Sequence, residues 1–321
     1  MSSAENNLPL VSVVTPTFNQ AAFLEDTIES VISQDYPAIE YQVIDDGSTD
    51  DTAKILSKYD GRFWIERHDN QGQTPTINKG WQRSQGEIIT WLNSDDTFLP
   101  GAVSTAVTYL NNHPDVDIVF GDTLFTDQAG KPLERSGKRF EFEYEQFVRL
   151  CHNPIAQPSA FIRRSVIEDI GLLDPSYYYF MDWDFWLRAG INHRIQYFPE
   201  LLSTYRLHAE SKTVAETSRA APELEYMYRK FFARTDLPAQ VRSLEQEAMV
   251  NMLITSGGYH LEGGNRKAAT QAALKALRSY PSYFSRPSAL HKFFYLICGG
   301  SSIYRRSRGT YHKLRATFAG A

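Results

Sequence analysis

Cysteine is scarce: the 321 residues hold two, Cys151 and Cys298, far apart and with no metal-type or redox-type spacing. That argues against a disulfide framework or a zinc ribbon, and leaves two reduced, partly buried thiols in a reducing compartment. Long apolar runs are missing as well. The best one near the end, Phe293 to Cys298, is far shorter than the ~20 residues that span a bilayer. The opening MSSAENN has neither the basic start nor the apolar stretch of a secretory signal. A cytoplasmic protein without a membrane span is expected. Acidic residues vanish after Glu262: from Gly263 onward there are eleven Lys or Arg and no Asp or Glu, although the whole chain has a net charge of −5. No nucleic-acid partner is expected at this overall balance.

What is present is an ordinary globular mixture, 42 % hydrophobic and 22 % charged, unlike a disordered polymer. The length suits one large α/β domain with an appendage. The acid-free tail admits two readings. Phe293, Phe294, Tyr295, Leu296 and Tyr304 interleave with basic residues, the mixture that holds a segment against an anionic membrane. The same composition also describes solvated basic helices.

Short apolar runs alternate with helical patterns through the first two thirds of the chain, the signature of βαβ units. Strands are expected at Leu10 to Val14, Tyr41 to Ile44, Phe63 to Glu66, Glu87 to Leu92, Val116 to Phe120 and Ser159 to Ile162. Helices are expected at Ala22 to Ser33 and Thr76 to Arg83, with a polar excursion from Asp122 to Glu145. Amphipathic helices take over later, at Pro222 to Phe232, Ala239 to Thr255 and Asn265 to Ser279. The expected division is a domain at 1–215 and an α-helical region at 216–321.

Polar clusters recur where strands end, the edge at which open α/β sheets bind ligands. Asp45 and Asp46 precede Gly47 and Ser48; they either form a turn and helix cap or accept bonds from a nucleobase or ribose. Asn70, Gly72, Asn78 and Gly80 bracket a segment able to approach a phosphate closely. Asn93 and Ser94, placed to meet a nucleotide donor, lead into Asp95 and Asp96, two carboxylates that either cap a helix or hold a hard divalent cation, Mn²⁺ or Mg²⁺. Asp182 and Asp184 alternate with aromatics at a helix start. If Asp184 caps or pairs with Arg188, Asp182 is left to act as a general base beside Trp183. Arg206 and Lys212 suit a diphosphate, and His208 is either a metal ligand or structural.

Taken in order, VSVVTPTFN, VIDDGSTDDT, NQGQTPTINKG, GEIITWLNSDD, MDWDFWLR and YRLHAESKT resemble the successive motifs of family 2 glycosyltransferases, over about Leu10 to Thr213. The resemblance implies a GT-A fold: a Rossmann-like mixed sheet flanked by helices, here with the helical C-terminal extension. It implies that Pro16, Phe18 and Asp46 contact the nucleobase, with Asn19 beside them, that Asp95 binds the metal, and that Asp182 is the base of an inverting transfer. The donor would be a nucleotide sugar, with UDP expected, and the acceptor a saccharide or lipid-linked hydroxyl in bacterial surface polysaccharide or glycolipid synthesis. Two positions depart from the pattern. Asn93 stands where an acid commonly sits, and Met181 where Glu often precedes the base. Both leave open a nucleotide-sugar-binding protein without turnover. A nucleotidyltransferase, the third reading, gives the block from Asp182 to Arg188 no role.

Overall fold

The computed structural model describes residues 8–136, 141–209, 211 and 217–298. Lys212 and the tail beyond 298, including Tyr304, lie outside the described residues. The chain divides into two compact units: Met1–Phe142, Ile155–Ser176 and Asn192–Arg206 form one, and Glu143–Pro154, Tyr177–Ile191 and Leu207–Ala321 the other. It passes between them repeatedly ahead of residue 215, so no single cut there separates the units.

The first unit is built on one mixed sheet of nine strands. These are β1 (Val11–Thr17), β2 (Ile39–Asp45), β3 (Trp64–Arg67), β4 (Ile88–Trp91), β5 (Thr97–Phe98), β6 (Ile118–Thr126), β7 (Pro132–Arg135), β8 (Ala160–Arg163) and β9 (Ile195–Arg206). The order is β3-β2-β1-β4-β8-β6-β9-β5, with β7 paired to β6. Strands β3, β2, β1 and β4 run parallel, whereas β8 is antiparallel to both β4 and β6. All seven residues of β1 are buried, as expected for a strand with parallel neighbours on both sides. Helices α1 (Ala21–Ile32), α2 (Thr52–Leu56), α3 (Gln73–Arg83), α4 (Ala102–Asn112) and α6 (Arg164–Ile170) belong to this unit, and α5 (Tyr144–Leu150) to the other. Phe23, Leu24, Ile28 and Val31 form the buried stripe of α1, the apolar face its periodicity predicts.

Two segments of the sheet differ from expectation. The excursion after Asp122 is mostly a hairpin: β6 runs on to Thr126, turns where Asp127 Oδ1 accepts from Ala129 N and Lys131 N, and returns as β7. Buried Asp122 holds the two together, accepting from Arg135 Nε at 2.5 Å and Tyr197 Oη at 2.8 Å. The strand β9 spans twelve residues across Pro199, which breaks the pattern of an ordinary strand. The sheet accommodates it by register shifts on either side of Asp122 in the β6–β9 pairing.

The second unit is helical. It comprises α5, α7 (Met181–Ala189), α8 (Thr217–Phe232), α9 (Ala239–Ser243), α10 (Glu245–Glu262), α11 (Arg266–Ser279) and α12 (Pro287–Ile297). Asn265 caps α11 by accepting from Ala268 N at 3.0 Å, and Ala269, Ala272, Ala273 and Ala276 form its buried stripe. Among the described residues, no helix is long and apolar enough to cross a membrane.

Candidate functional site

The carboxyl ends of the parallel strands carry the first acidic cluster. Thr17, Asp45 and Arg67 lie side by side in register at the ends of β1, β2 and β3. Asp45 is buried and makes a turn, its Oδ1 accepting from Ser48 N at 2.8 Å, while Arg67 Nε stands 3.4 Å from Oδ2. Asp46, also buried, accepts from Gln71 N at 2.7 Å through Oδ1 and from Gly72 N at 2.9 Å through Oδ2. One carboxylate thus fixes the loop leading into α3, which starts at Gln73, three residues before the expected Thr76. Gly72 takes φ +95° there, and at Gly47 an added Cβ would lie 2.8 Å from Asn70 N, so the two loops approach more closely than a side chain allows. His68 Nδ1 lies 3.4 Å from Asp46 Oδ1, and its buried Nε2 has no hydrogen-bond partner among the described residues.

Asn19 links this cluster to the end of β1. It adopts φ 52°, donates from its backbone N to Ser48 Oγ at 2.9 Å, and accepts from Thr49 N at 2.8 Å. Pro16 is buried within β1, whereas Phe18 just beyond it is 44 % exposed, an aromatic ring presented at the strand edge. Asn70 is exposed. Asn78 has a different position: its amide exchanges two hydrogen bonds with the Leu173 backbone, at 2.7 and 3.0 Å, and so tethers α3 within the fold.

The second cluster follows β4 and joins the first through Gln73, whose Nε2 donates to Asn93 Oδ1 at 2.7 Å. Helix α4 begins at Ala102 behind Gly101, with no side-chain cap. Asp95 and Asp96 therefore do not cap it, and Pro100 precedes it. Asp96 is buried and accepts from Arg206 N at 3.0 Å; burial first, and then the charge of Asp95, push its pKa well above the usual carboxylate range. Arg206 braces this turn: Nε donates to Asp95 O at 3.2 Å, Nη1 to Gln128 O at 3.2 Å and Nη2 to Asp26 Oδ2 at 2.8 Å, with Phe23 under the guanidinium. These bonds direct the head group to protein partners. Ser94 is buried and Asp95 half-buried.

In the helical unit, Asp182 lies in the first turn of α7, and Met181 before it is buried. Asp184 pairs with Arg188, Nε to Oδ2 at 2.8 Å, the i,i+4 bond expected from the spacing. The N-cap position of α7 is Phe180, without a side-chain cap, so Asp184 pairs instead of capping. His208 is buried, its backbone N donating to Ser211 Oγ at 3.2 Å.

Among the described residues, no group of three or more His, Cys, Asp or Glu side chains could hold a metal ion. The carboxylate of Asp95 with Asp96 beside it suits the sparser arrangement, in which one or two protein carboxylates share a hard cation with substrate phosphates. Sequence reading missed His68, Gln73 and Gln157. Gln73 lay inside a recognised motif, but Gln157 sits in a segment with no local signal and meets Asn93 only through the folding of β8 beside β4.

The family model for glycosyl transferase family 2 matches residues 12–171. The chain is 36 % identical over 143 residues to the GalNAc(5)-diNAcBac-PP-undecaprenol beta-1,3-glucosyltransferase of Campylobacter jejuni, covering 43 % of this chain and 46 % of that enzyme. The match to an uncharacterized glycosyltransferase of Rickettsia prowazekii is 29 % identical and covers 64 % of this chain and 66 % of the relative. The fold resembles residues 1–349 of Staphylococcus aureus TarS in complex with UDP-GlcNAc, with a TM-score of 0.67 at 15 % identity over 94 % of this chain and 93 % of that one. It also resembles the mannosyltransferase PcManGT of Pyrobaculum calidifontis in complex with GDP-Man and Mn²⁺, with a TM-score of 0.60 at 19 % identity over 98 % and 86 % of the two chains. The architecture is the GT-A fold with a helical C-terminal part.

Proposed function

The chain belongs to glycosyltransferase family 2, and from that premise we propose that it transfers a sugar, with inversion, from a UDP-sugar to an acceptor hydroxyl in bacterial surface polysaccharide or glycolipid synthesis. The observation that carries the donor reading is the pair of acidic clusters joined by the Gln73–Asn93 hydrogen bond at the carboxyl ends of β2 and β4, where α/β sheets receive nucleotides. The UDP-GlcNAc complex of TarS supports the choice of UDP. The acceptor reading draws on the undecaprenol-linked substrate named for the Campylobacter relative.

The exposed ring of Phe18 stacks on the base, Pro16 and Asn19 shape the strand end beneath it, and Asp45 and Asp46 hold the loops around it, with Asn70 and Gly72 on the neighbouring loop. Asp182 takes the acceptor proton. The acceptor oxygen attacks the anomeric carbon opposite the diphosphate, the new C–O bond forms as the glycosyl–phosphate bond breaks, and the electron pair leaves with the diphosphate. Asp95 would hold Mn²⁺ or Mg²⁺, which when bound offsets charge on the departing diphosphate. The Mn²⁺ complex of PcManGT supports that choice. Peripheral attachment to an anionic membrane through the basic tail is part of the same proposal.

Incubation of the full chain with UDP-sugars and candidate lipid-linked acceptors tests the reading. Acceptor-dependent UDP release is expected. Saturable UDP-sugar binding without release across acceptors favours the binding protein, and pyrophosphate release favours nucleotidyl transfer.

A further inference from the structure

The C-terminal helices have a stripe directed at the segment preceding α7. Residues 219, 223, 226 and 230 of α8 follow the spacing that places side chains on one helix face. The Arg219 guanidinium lies 5.0 Å from the Tyr178 ring centroid, Tyr226 packs on Tyr177 at 5.8 Å, and Lys230 Nζ lies 5.4 Å from the Tyr177 ring. Between them Glu223 accepts three consecutive backbone N–H groups: Tyr178 N at 3.0 Å on Oε2, and Tyr179 N and Phe180 N at 2.6 and 2.7 Å on Oε1. Bonds from neutral amides to a carboxylate are among the stronger hydrogen bonds in proteins. Phe180 O then accepts from Asp184 N at 2.9 Å to start α7, so the clamp ends two residues before Asp182.

The helix bearing this stripe is itself anchored. Glu225 Oε1 accepts from Ser256 Oγ of α10 at 3.0 Å, and Lys275 Nζ of α11 lies 3.7 Å from Glu225 Oε2. The hairpin of α10 and α11 therefore supports α8, and α8 fixes where α7 begins.

We propose that Glu223 is a positioning residue for the reaction, orienting Asp182 through the backbone of residues 178–180, and that setting the base is a role of the helical C-terminal region. The proposal rests on the reading of Asp182 as the base. A general base works only within hydrogen-bond reach of its proton, and small misplacements are costly.

The test compares full-length Glu223→Ala, Glu223→Gln and Asp182→Asn in steady-state turnover, donor KM and amide hydrogen exchange. Glu223→Ala should lower kcat by about 10- to 100-fold while donor KM changes little, and should speed exchange at residues 178–182. Glu223→Gln keeps one acceptor oxygen and should recover part of both losses. An inactive Asp182→Asn beside a Glu223→Ala of normal kcat overturns the positioning role alone. Unchanged exchange over 178–182 in Glu223→Ala overturns it too. Normal turnover in Asp182→Asn overturns the base reading, and this proposal with it. If Glu223→Ala does not fold, Glu223→Gln decides, because a kcat equal to wild type with unaltered exchange counts against the clamp.

Discussion

Asn93 and Gln157 meet amide to amide. Asn93 Nδ2 donates to Gln157 Oε1 at 3.1 Å, and Gln157 Nε2 donates to Trp91 O at 2.7 Å. With Gln73 donating to Asn93 Oδ1, every direction in the relay is set by the peptide carbonyl at its end. The departure from an acid at position 93 thus has a physical reason: a carboxylate there would face the Gln157 carbonyl oxygen and lie near Asp96, whose Oδ2 is 3.4 Å from Asn93 Nδ2.

Asn93→Asp should therefore not improve the protein. One donor is lost, a buried acceptor is left facing another, and a third carboxylate joins Asp95 and Asp96. A loss of about 1 to 3 kcal/mol is expected for such a mismatch, read as a lower denaturation midpoint at unchanged slope. Equal or greater stability would remove the relay as the reason for Asn93.

The relay also shows where sequence reading stops. Strands β1, β2 and β4 and helix α1 were legible because a buried parallel strand and an amphipathic helix carry their burial in their own periodicity. Asp45, Asp46 and Asp95 were legible as site candidates because strand ends carry ligands. Gln157 was not, because its role arises from β8 lying beside β4, and Pro199 hid the length of β9. Asp46 was recognised without its partners, since the two amides it accepts from lie 25 and 26 residues away in the chain.

Donor binding should require a divalent cation. Asp95 and the donor diphosphate are like charges, and a cation between them removes the repulsion. Calorimetry with UDP should give markedly tighter binding in Mn²⁺ than in chelator, and Asp95→Ala should abolish the difference. Equal affinity in both buffers for the wild-type chain would count against a metal.

The basic tail gives a separate prediction. Residues 299–321 carry Arg305, Arg306, Arg308, Lys313 and Arg315 and no acid, next to a helix whose Leu290 and Phe294 are exposed. Each basic residue near an anionic surface contributes about 1 kcal/mol. Truncation after Cys298 keeps α12, whose Leu296 would meet a Cβ added at Gly257, and so should retain nucleotide affinity. Sedimentation with phosphatidylserine vesicles should fall sharply at low salt. The same sedimentation for both chains would return the tail to solvated helices.

Two carboxylates in one helical turn, Asp182 and Asp184, should separate by what each loses as asparagine. Asp184 pairs with Arg188 at 2.8 Å, and both side chains are largely buried. Asp184→Asn keeps a hydrogen-bond acceptor but removes the charge that Arg188 faces, so it should cost about 1 to 3 kcal/mol of stability with a smaller effect on turnover per folded molecule. Asp182→Asn keeps the shape and polarity of the side chain and removes only its capacity to take a proton. General-base catalysis contributes about 10² to 10⁴ fold, and turnover should fall by that order while UDP affinity and melting temperature hold. Both variants need turnover and melting curves on the same preparation, since a destabilised Asp184→Asn sample would otherwise imitate a catalytic loss. A folded, inactive Asp184→Asn beside a normal Asp182→Asn would assign the base to Asp184, with Arg188 as its electrostatic partner. Two active variants would place the base on another side chain and remove α7 from the chemistry.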